Sequence, residues 1–511
     1  MERALRRRLD PGRLAALATT ALVAACAVGP DFEKPTPPTV TGYTREPLAT
    51  ETASAATLGG EAQHFVQGMD IPGQWWQLFH SEPLNAMVEE ALQHNPDLKA
   101  AQAAVRVALE EVYAQEGAYF PTVAGSFSPS RQKTATGALS PASASGNPYF
   151  SLYTAQLAVS YTPDVFGLNR RTVESLQAEA DVQRFQLEAT YLTLTSNVVA
   201  AAVQEASLRG QIEATDDIIK IEDQLLELLR KQFTLGAVAE VEVVQQEAAL
   251  AQAEAALPPL RKQLALQRDL LTALIGRYPS EEPAEHFELA SITLPTDVPV
   301  SLPARLVEQR PDVQAADANL HSASALIGVA IANRLPNLTI SASDGNAANT
   351  INRLFTSGTG FWSIASTLTQ PIFDGGMLLH KERAARYAYD EAAWQYKSAV
   401  IAGLQNVADS LRALASDADA VKANARAEHS AQESLEITRK QLELGAINYL
   451  ALLNAQQTYL QARISLVQAQ SARYADTAAL FQALGGGWWN RTDVAKDTDG
   501  GDNLIDRLKG P

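Results

Sequence analysis

The chain has 511 residues, 46% of them hydrophobic and 19% charged, which is ample for a large folded core and too weakly charged for a disordered polymer. Its formal net charge of −17 excludes a nucleic-acid partner gripped by a dominant basic surface. Its seven His form no His-Glu-x-x-His and its single Cys can form no thiol pair, so no cofactor or metal is expected and no catalytic constellation is legible.

Residues 1–25 read as an export signal. Arg3, Arg6, Arg7, Arg8 and Arg13 precede a short apolar stretch from Leu14 to Ala25, too brief to span a bilayer. It ends in Leu22-Val23-Ala24-Ala25-Cys26, which resembles a bacterial lipobox, so Cys26 is the expected lipidation site, with outer-membrane lipid as its partner. Ala27 in the next position, rather than Asp, resembles sorting to the outer membrane. From Cys26 to about Gln74 the chain is rich in Pro, Thr, Ala and Gly, an extended tether, and Trp75-Trp76-Gln-Leu-Phe79 opens the ordered body. No 18-residue apolar run occurs, so a membrane crossing by this chain requires a closed β-barrel.

The ordered body is a tandem duplication. Helical runs begin at Asn95-Pro96-Asp97-Leu98 and Arg310-Pro311-Asp312-Val313, and each stops at a proline 25 positions after the first, Pro121 and Pro336. Gly167 to Gly236 and Gly376 to Gly445 are both 69 positions; Gly236 to Gly276 and Gly445 to Gly485 are both 40. The boundaries that follow are a signal peptide at 1–25, an anchored extended segment at 26–80 and a first repeat at 81–276. A linker at 277–302, a second repeat at 303–485 and an acidic tail at 486–511 complete the chain. The tail's Asp497-Thr-Asp499-Gly-Gly-Asp502 has its glycine at the wrong offset for a calcium loop.

The segments after each proline stop are strands. Tyr153, Ala155, Leu157, Val159 and Tyr161 alternate with Thr154, Gln156, Ala158 and Ser160, and Leu338, Ile340 and Ala342 alternate with Thr339, Ser341 and Ser343. Trp362, Ile364 and Leu368 face away from Ser363, Ala365, Thr367 and Thr369, and Thr122 to Ser128 is the weakest of the four strands. Loops are expected near Pro129–Pro148 and Asn346–Gly358. The pattern fits either a small sandwich with one wet face or a membrane barrel with a polar lumen; the export signal favours the barrel. A 69-residue helix is about 100 Å long, close to the combined length of a 40-residue and a 25-residue helix. The chain therefore descends one long helix, reverses at Gly236 or Gly445, and climbs back on two shorter ones, with a bend expected at Pro258-Pro259. Four strands are too few to close a barrel, so several copies must combine.

These residues resemble the TolC/OprM family of outer-membrane efflux channels, in its lipoprotein branch. The matching pieces are Cys26-Ala-Val-Gly-Pro-Asp-Phe-Glu-Lys-Pro35, Trp75-Trp76-x-x-Phe79, Asn95-Pro-Asp-Leu98 and Leu302-Pro-x-x-Leu306-x-x-x-Arg310-Pro-Asp312. Ile327-Gly-Val-Ala330, Pro371-Ile-Phe-Asp-Gly-Gly376 and Asn448-Tyr-Leu-x-Leu-Leu-x-Ala-Gln456 complete the set. The resemblance implies an α+β, mainly α, TolC-like fold assembled as a homotrimer. Four strands per chain would form a 12-stranded outer-membrane barrel above a long periplasmic helical barrel with an equatorial belt. It implies a periplasmic adaptor and an inner-membrane transporter, most often of the proton-driven resistance-nodulation-division type, as partners.

The same resemblance places the adaptor contacts at the helix tips, Leu235, Gly236 and Ala237 in one repeat and Leu444, Gly445 and Ala446 in the other. It places a gate on the stretch from Leu450 to Gln457. In the lipoprotein branch this stretch carries a leucine constriction followed by an Asp and an Arg. Leu450 is retained, while Asn454 and Gln457 stand where the charges would be, so the expected ring is neutral, with hydrogen bonds about half as strong as charge-assisted ones. Ordinary surface positions for Asn454 and Gln457 are the plainer alternative. The function expected is a passive, non-enzymatic exit duct for small molecules; a protein-secretion duct and a pore-free periplasmic lipoprotein are the alternatives.

Overall fold

A computed structural model of the chain describes residues 27–133 and 149–491. The export signal, Cys26 and the acidic tail beyond Arg491 lie outside the described residues. In chain order, β1 (His64–Gln67), α1 (Glu82–His94) and α2 (Pro96–Glu116) lead to the strands β2 (Thr122–Lys133) and β3 (Tyr149–Tyr161), then α3 (Leu168–Thr234) and α4 (Glu240–Leu274). After β4 (Asp297–Val300) and α5 (Pro303–Gln309) the order recurs: α6 (Pro311–Ala332), β5 (Asn337–Ala348), β6 (Gly360–Thr369), α7 (Met377–Glu443) and α8 (Tyr449–Ala483). Helices α3 and α7 each contain 67 residues, and α4 and α8 each contain 35.

The residue before each repeat's opening proline does the same job by different chemistry. Asn95 caps α2 by accepting the backbone N–H of Asp97 and Leu98, and its amide donates to the Leu274 carbonyl at the end of α4. Arg310 grips Asp312 through two hydrogen bonds and donates to the Ala483 carbonyl at the end of α8. Leu274 and Ala483 each stand two residues before the glycine that stops their helix.

Two compact units make up the chain. Among the described residues, the first draws on 27–34, 105–133, 149–182 and 316–396, and the second on 35–104, 183–315 and 397–491.

The first unit carries an antiparallel sheet of order β2-β3-β5-β6. Register puts Val123, Phe127, Leu157, Ile340, Trp362, Ile364 and Leu368 on one face, all of them exposed. The opposite face carries Ser126, Ser128, Thr154, Gln156, Ser341, Thr339 and Thr367, with Ser343 and Ser363 hydroxyls 2.8 Å apart. Strand β2 runs past the expected loop start to Lys133, and β5 runs through Ala348. Cross-strand pairing outweighs the weak propensity of these segments, and Pro129 is accommodated because β2 is an edge strand.

A strap from Ala27 to Lys34 is fastened to the same unit. The Val28 N–H donates to the Phe166 carbonyl at 3.1 Å, and Ala27 packs on Gly167, where a Cβ would lie 2.7 Å from the Ala27 Cα. Gly29 meets Gly328 backbone to backbone, which explains the glycines of two matching motifs. Arg171, nearly buried, pairs with Asp31 and Glu174 at 2.7 Å, and Phe32 stacks on His321 with centroids 4.4 Å apart.

In the second unit, Trp75, Trp76, Phe79, Phe287, Leu411 and Phe481 are wholly or almost wholly buried in one core, with Trp75 stacked on Phe481. The tether expected from Cys26 to about Gln74 is corrected: residues 27–34 form the strap on the first unit, and residues 35–74 pack within the second. Strand β1 pairs in parallel with β4, the Tyr43 hydroxyl donates to the Ser301 carbonyl at 2.8 Å, and Gln63 is buried. The cause is Arg473 of α8, fully buried, whose guanidinium donates to the carbonyls of Gly59 and Glu61, the Thr52 hydroxyl and the Gln63 amide oxygen. Pro258 and Pro259 sit inside a continuous α4. The carbonyls they leave without N–H partners belong to Glu254 and Ala255, both exposed to solvent.

Candidate functional site

Both reversals are helix stops of one design. Gly236 has φ +74° and Gly445 φ +68°, in the left-handed region that glycine enters without a Cβ penalty. At the first, Gly236 N–H donates to the Phe233 carbonyl and Ala237 N–H to Gln232; at the second, Gly445 N–H donates to Leu442 and Ala446 N–H to Gln441, all at 2.9 Å. These paired bonds are the Schellman closure, which satisfies carbonyls the helix end would otherwise leave open. The following helices start differently. Asn448 caps α8 by accepting the Ala451 N–H at 3.2 Å, whereas Ala239 offers α4 no side-chain cap and Glu240 and Glu242 supply negative charge to its first turn.

The two hairpins share an apolar core of Leu226, Leu229, Val243, Leu435, Tyr449, Leu452 and Leu453. That core fixes the face of α8. Leu452, Leu453 and Gln456 turn inward, and Leu450, Asn454 and Gln457, spaced by four and three residues, form one exposed strip. The structure thus brings the three expected gate residues into a line on the uncovered face of α8. Leu235 and Leu444 project at the turns with 83% and 84% of their surface exposed, and Ala237 and Ala446 are exposed beside them.

Beneath the strip lies a buried polar cluster that sequence reasoning missed. Glu222 of α3 is 3% exposed and receives hydrogen bonds from the Gln246 amide of α4 to its carbonyl and its carboxylate. Burial pushes the Glu222 carboxyl above its usual range, with the Gln246 amide opposing. Burial also pushes the Tyr449 hydroxyl up, and the Glu222 charge adds to it. The Tyr449 hydroxyl and the amide oxygens of Gln246 and Gln456 are buried without hydrogen-bond partners. A signal for this cluster was present: Glu222 stands between Ile218 and Leu226, and Tyr449 and Gln456 flank Leu452 and Leu453, all at helical spacing on apolar seams.

Among the described residues no group of three or more His, Cys, Asp or Glu is placed to hold a metal, and no helix is long and apolar enough to cross a membrane. What the hairpin ends present is two exposed leucines at the turns and one exposed strip along α8.

A family model described as outer membrane efflux protein matches the chain twice, over residues 87–277 and 302–486. The probable efflux pump outer membrane protein TtgC of Pseudomonas putida is 26% identical, with 94% of this chain and 97% of the relative covered. Nodulation protein T of Rhizobium leguminosarum bv. trifolii is also 26% identical, covering 91% of this chain and 96% of the relative. Among solved structures, the CmeC outer membrane channel of Campylobacter jejuni superimposes with a TM-score of 0.82 at 23% identity, over 92% of this chain and 97% of that one. The outer membrane protein VceC of Vibrio cholerae gives 0.76 at 27% identity, over 82% and 100%. The fold is that of TolC-like channels, mainly helical with an antiparallel sheet.

Proposed function

Because this chain belongs to the outer membrane efflux protein family, we propose that it is the passive exit duct of a tripartite small-molecule efflux pump, closed at its helix tips by Leu450, Asn454 and Gln457. The observation that carries the reading is the sheet: an exposed apolar face from Val123 to Leu368 backed by a face of Ser, Thr and Gln. Four such strands with two open edges argue for a homotrimer closing a 12-stranded barrel. Exposed aromatics at both strand ends, Tyr119, Phe120 and Phe373 at one and Tyr149, Phe150 and Phe355 at the other, support a membrane girdle.

The strap supports a lipid anchor on Cys26. Ala27 and Val28 are held against Gly167 and Phe166, between the end of β3 and the start of α3. The residues that follow Cys26 are thus tied just beyond the end of β3, which suits an anchor attached close to the strand ends. At the hairpin turns, Leu235 and Leu444 are the apolar contacts for a periplasmic adaptor, and a transporter of the resistance-nodulation-division type in the inner membrane supplies the energy.

Closure by Leu450, Asn454 and Gln457 rests on side-chain packing and neutral hydrogen bonds between copies. Single-channel recording tests it: Asn454→Ala combined with Gln457→Ala should raise closed-state leakage, with little dependence on salt in the wild type. Leakage unchanged by the double substitution would move the gate elsewhere.

A further inference from the structure

The end of the sheet nearest the long helices is cut on a slant. Thr122, which opens β2, is level with Ser160, Ser341 and, on β6, Ala365, and β6 continues four residues beyond that level to Thr369. Four residues at about 3.3 Å against three strand spacings at about 4.8 Å make a slant of about 40°. Strands of a closed membrane barrel tilt by about 35–45° from its axis, so in such a ring the start of β2 and the end of β6 lie at one height. The sheet is antiparallel throughout, so its two edges run in opposite directions and β6 of one copy can pair antiparallel with β2 of the next. The apolar face must also continue across that seam. A slip of one residue would turn Leu368 away from the side of Val123, so at a tilt of about 40° Leu368 stands opposite Val123 or Gly125 of the next copy.

Either register brings Ile372 and Phe373, just past β6, opposite Ala118 to Pro121 of the next copy, just before β2. Both segments are held still by their own backbone. On one side of Ile372 and Phe373 the Gln370 amide donates to the Arg334 and Pro371 carbonyls at 3.0 Å, and on the other Asp374 accepts the Gly376 and Leu378 N–H at 2.8 and 2.9 Å. The Phe120 N–H donates to the Gly117 carbonyl at 3.1 Å. Yet Ile372 and Phe373 are 90% and 92% exposed within one chain, and Tyr119 and Phe120 are exposed as well. We propose that Ile372 and Phe373 of one copy pack on Tyr119 and Phe120 of the next, an apolar clasp that sets the register of each seam where strands pass into helices. The clasp rests on the barrel reading and names the residues that would hold its copies together.

The test uses the purified full-length protein in detergent, with its mass read by light scattering. Ile372→Cys combined with Phe120→Cys, treated with a short bifunctional thiol reagent, should give linked species that stop at three chains. Each single variant should give none, and because all of them keep Cys26, any linkage through that thiol shows there. Leu368→Cys combined with Val123→Cys, or with Gly125→Cys, reports the strand seam itself. Ile372→Ser combined with Phe373→Ser should leave helical content by circular dichroism unchanged, since these side chains touch little in their own chain, and should raise the concentration at which trimers dissociate about tenfold or more. A monomer by mass would remove the barrel reading and the clasp with it. Trimers whose strand pair links while Ile372→Cys with Phe120→Cys does not, or trimers undisturbed by the double serine change, would overturn the clasp and leave the barrel standing.

Discussion

At the scale of single residues, the sharpest consequence concerns two groups on α7 and α8. The Asp417 carboxyl is pushed up to about 7, first by burial and then by the hydrogen bond and negative charge of Asp476, with Arg473 opposing. An unfolded Asp titrates near 4, so between about pH 4 and 7 the folded chain holds a proton that the unfolded chain releases. Stability from this group is complete below pH 4, falls as pH rises and is flat above 7. Asp417→Asn should therefore flatten the Tm profile over that interval and raise Tm at pH 8; an unaltered slope would contradict the assignment. Arg473→Met should cost about 3 kcal/mol, because three buried acceptors and the part-buried Glu61 carbonyl lose their donor. Thermal unfolding and faster proteolysis within residues 52–63 are the readouts. Neither role was legible from composition. Residues 35–74 look like a tether because Pro, Thr and Gly lack periodicity, and the arginine that orders them lies more than 400 positions away.

At the scale of elements, the glycine stops are open to direct test. No atom lies within 4 Å of the position a methyl group on Gly445 would take, so Gly445→Ala meets no clash and only the left-handed backbone penalty, about 1 kcal/mol. Hydrogen exchange at residues 441–449 should quicken accordingly while the Trp75 core is unchanged. At Gly167 the same substitution drives a methyl into Ala27, so Gly167→Ala should release the strap, seen as protease cleavage after residue 27. Helices and stops were legible because their glycines and prolines recur at equal intervals. Strand ends were not: Pro129, Arg131 and Lys133 read as loop, and only pairing with Tyr153, Ser151 and Tyr149 makes them strand. Leu450, Asn454 and Gln457 are singled out by the family resemblance, and the structure puts them in one exposed line, whereas the buried Glu222, Gln246, Tyr449 and Gln456 contradict the rule that polar residues face water.

At the scale of the whole molecule, the account rests on two demands that one chain leaves open: an apolar sheet face without cover and sheet edges without partners. Both are met if copies close a barrel in the outer membrane, with Ser and Thr lining its lumen. On the proposed reading, energy enters through an inner-membrane partner, and this chain would contribute docking at Leu235 and Leu444 and closure along α8. Planar-bilayer recording of the purified full-length protein tests that claim most directly. The account predicts discrete conductance steps from a mostly closed state, with longer openings when Asn454 and Gln457 are both replaced by Ala. Protein that incorporates into the bilayer and gives no steps, in wild type and double variant alike, would contradict it.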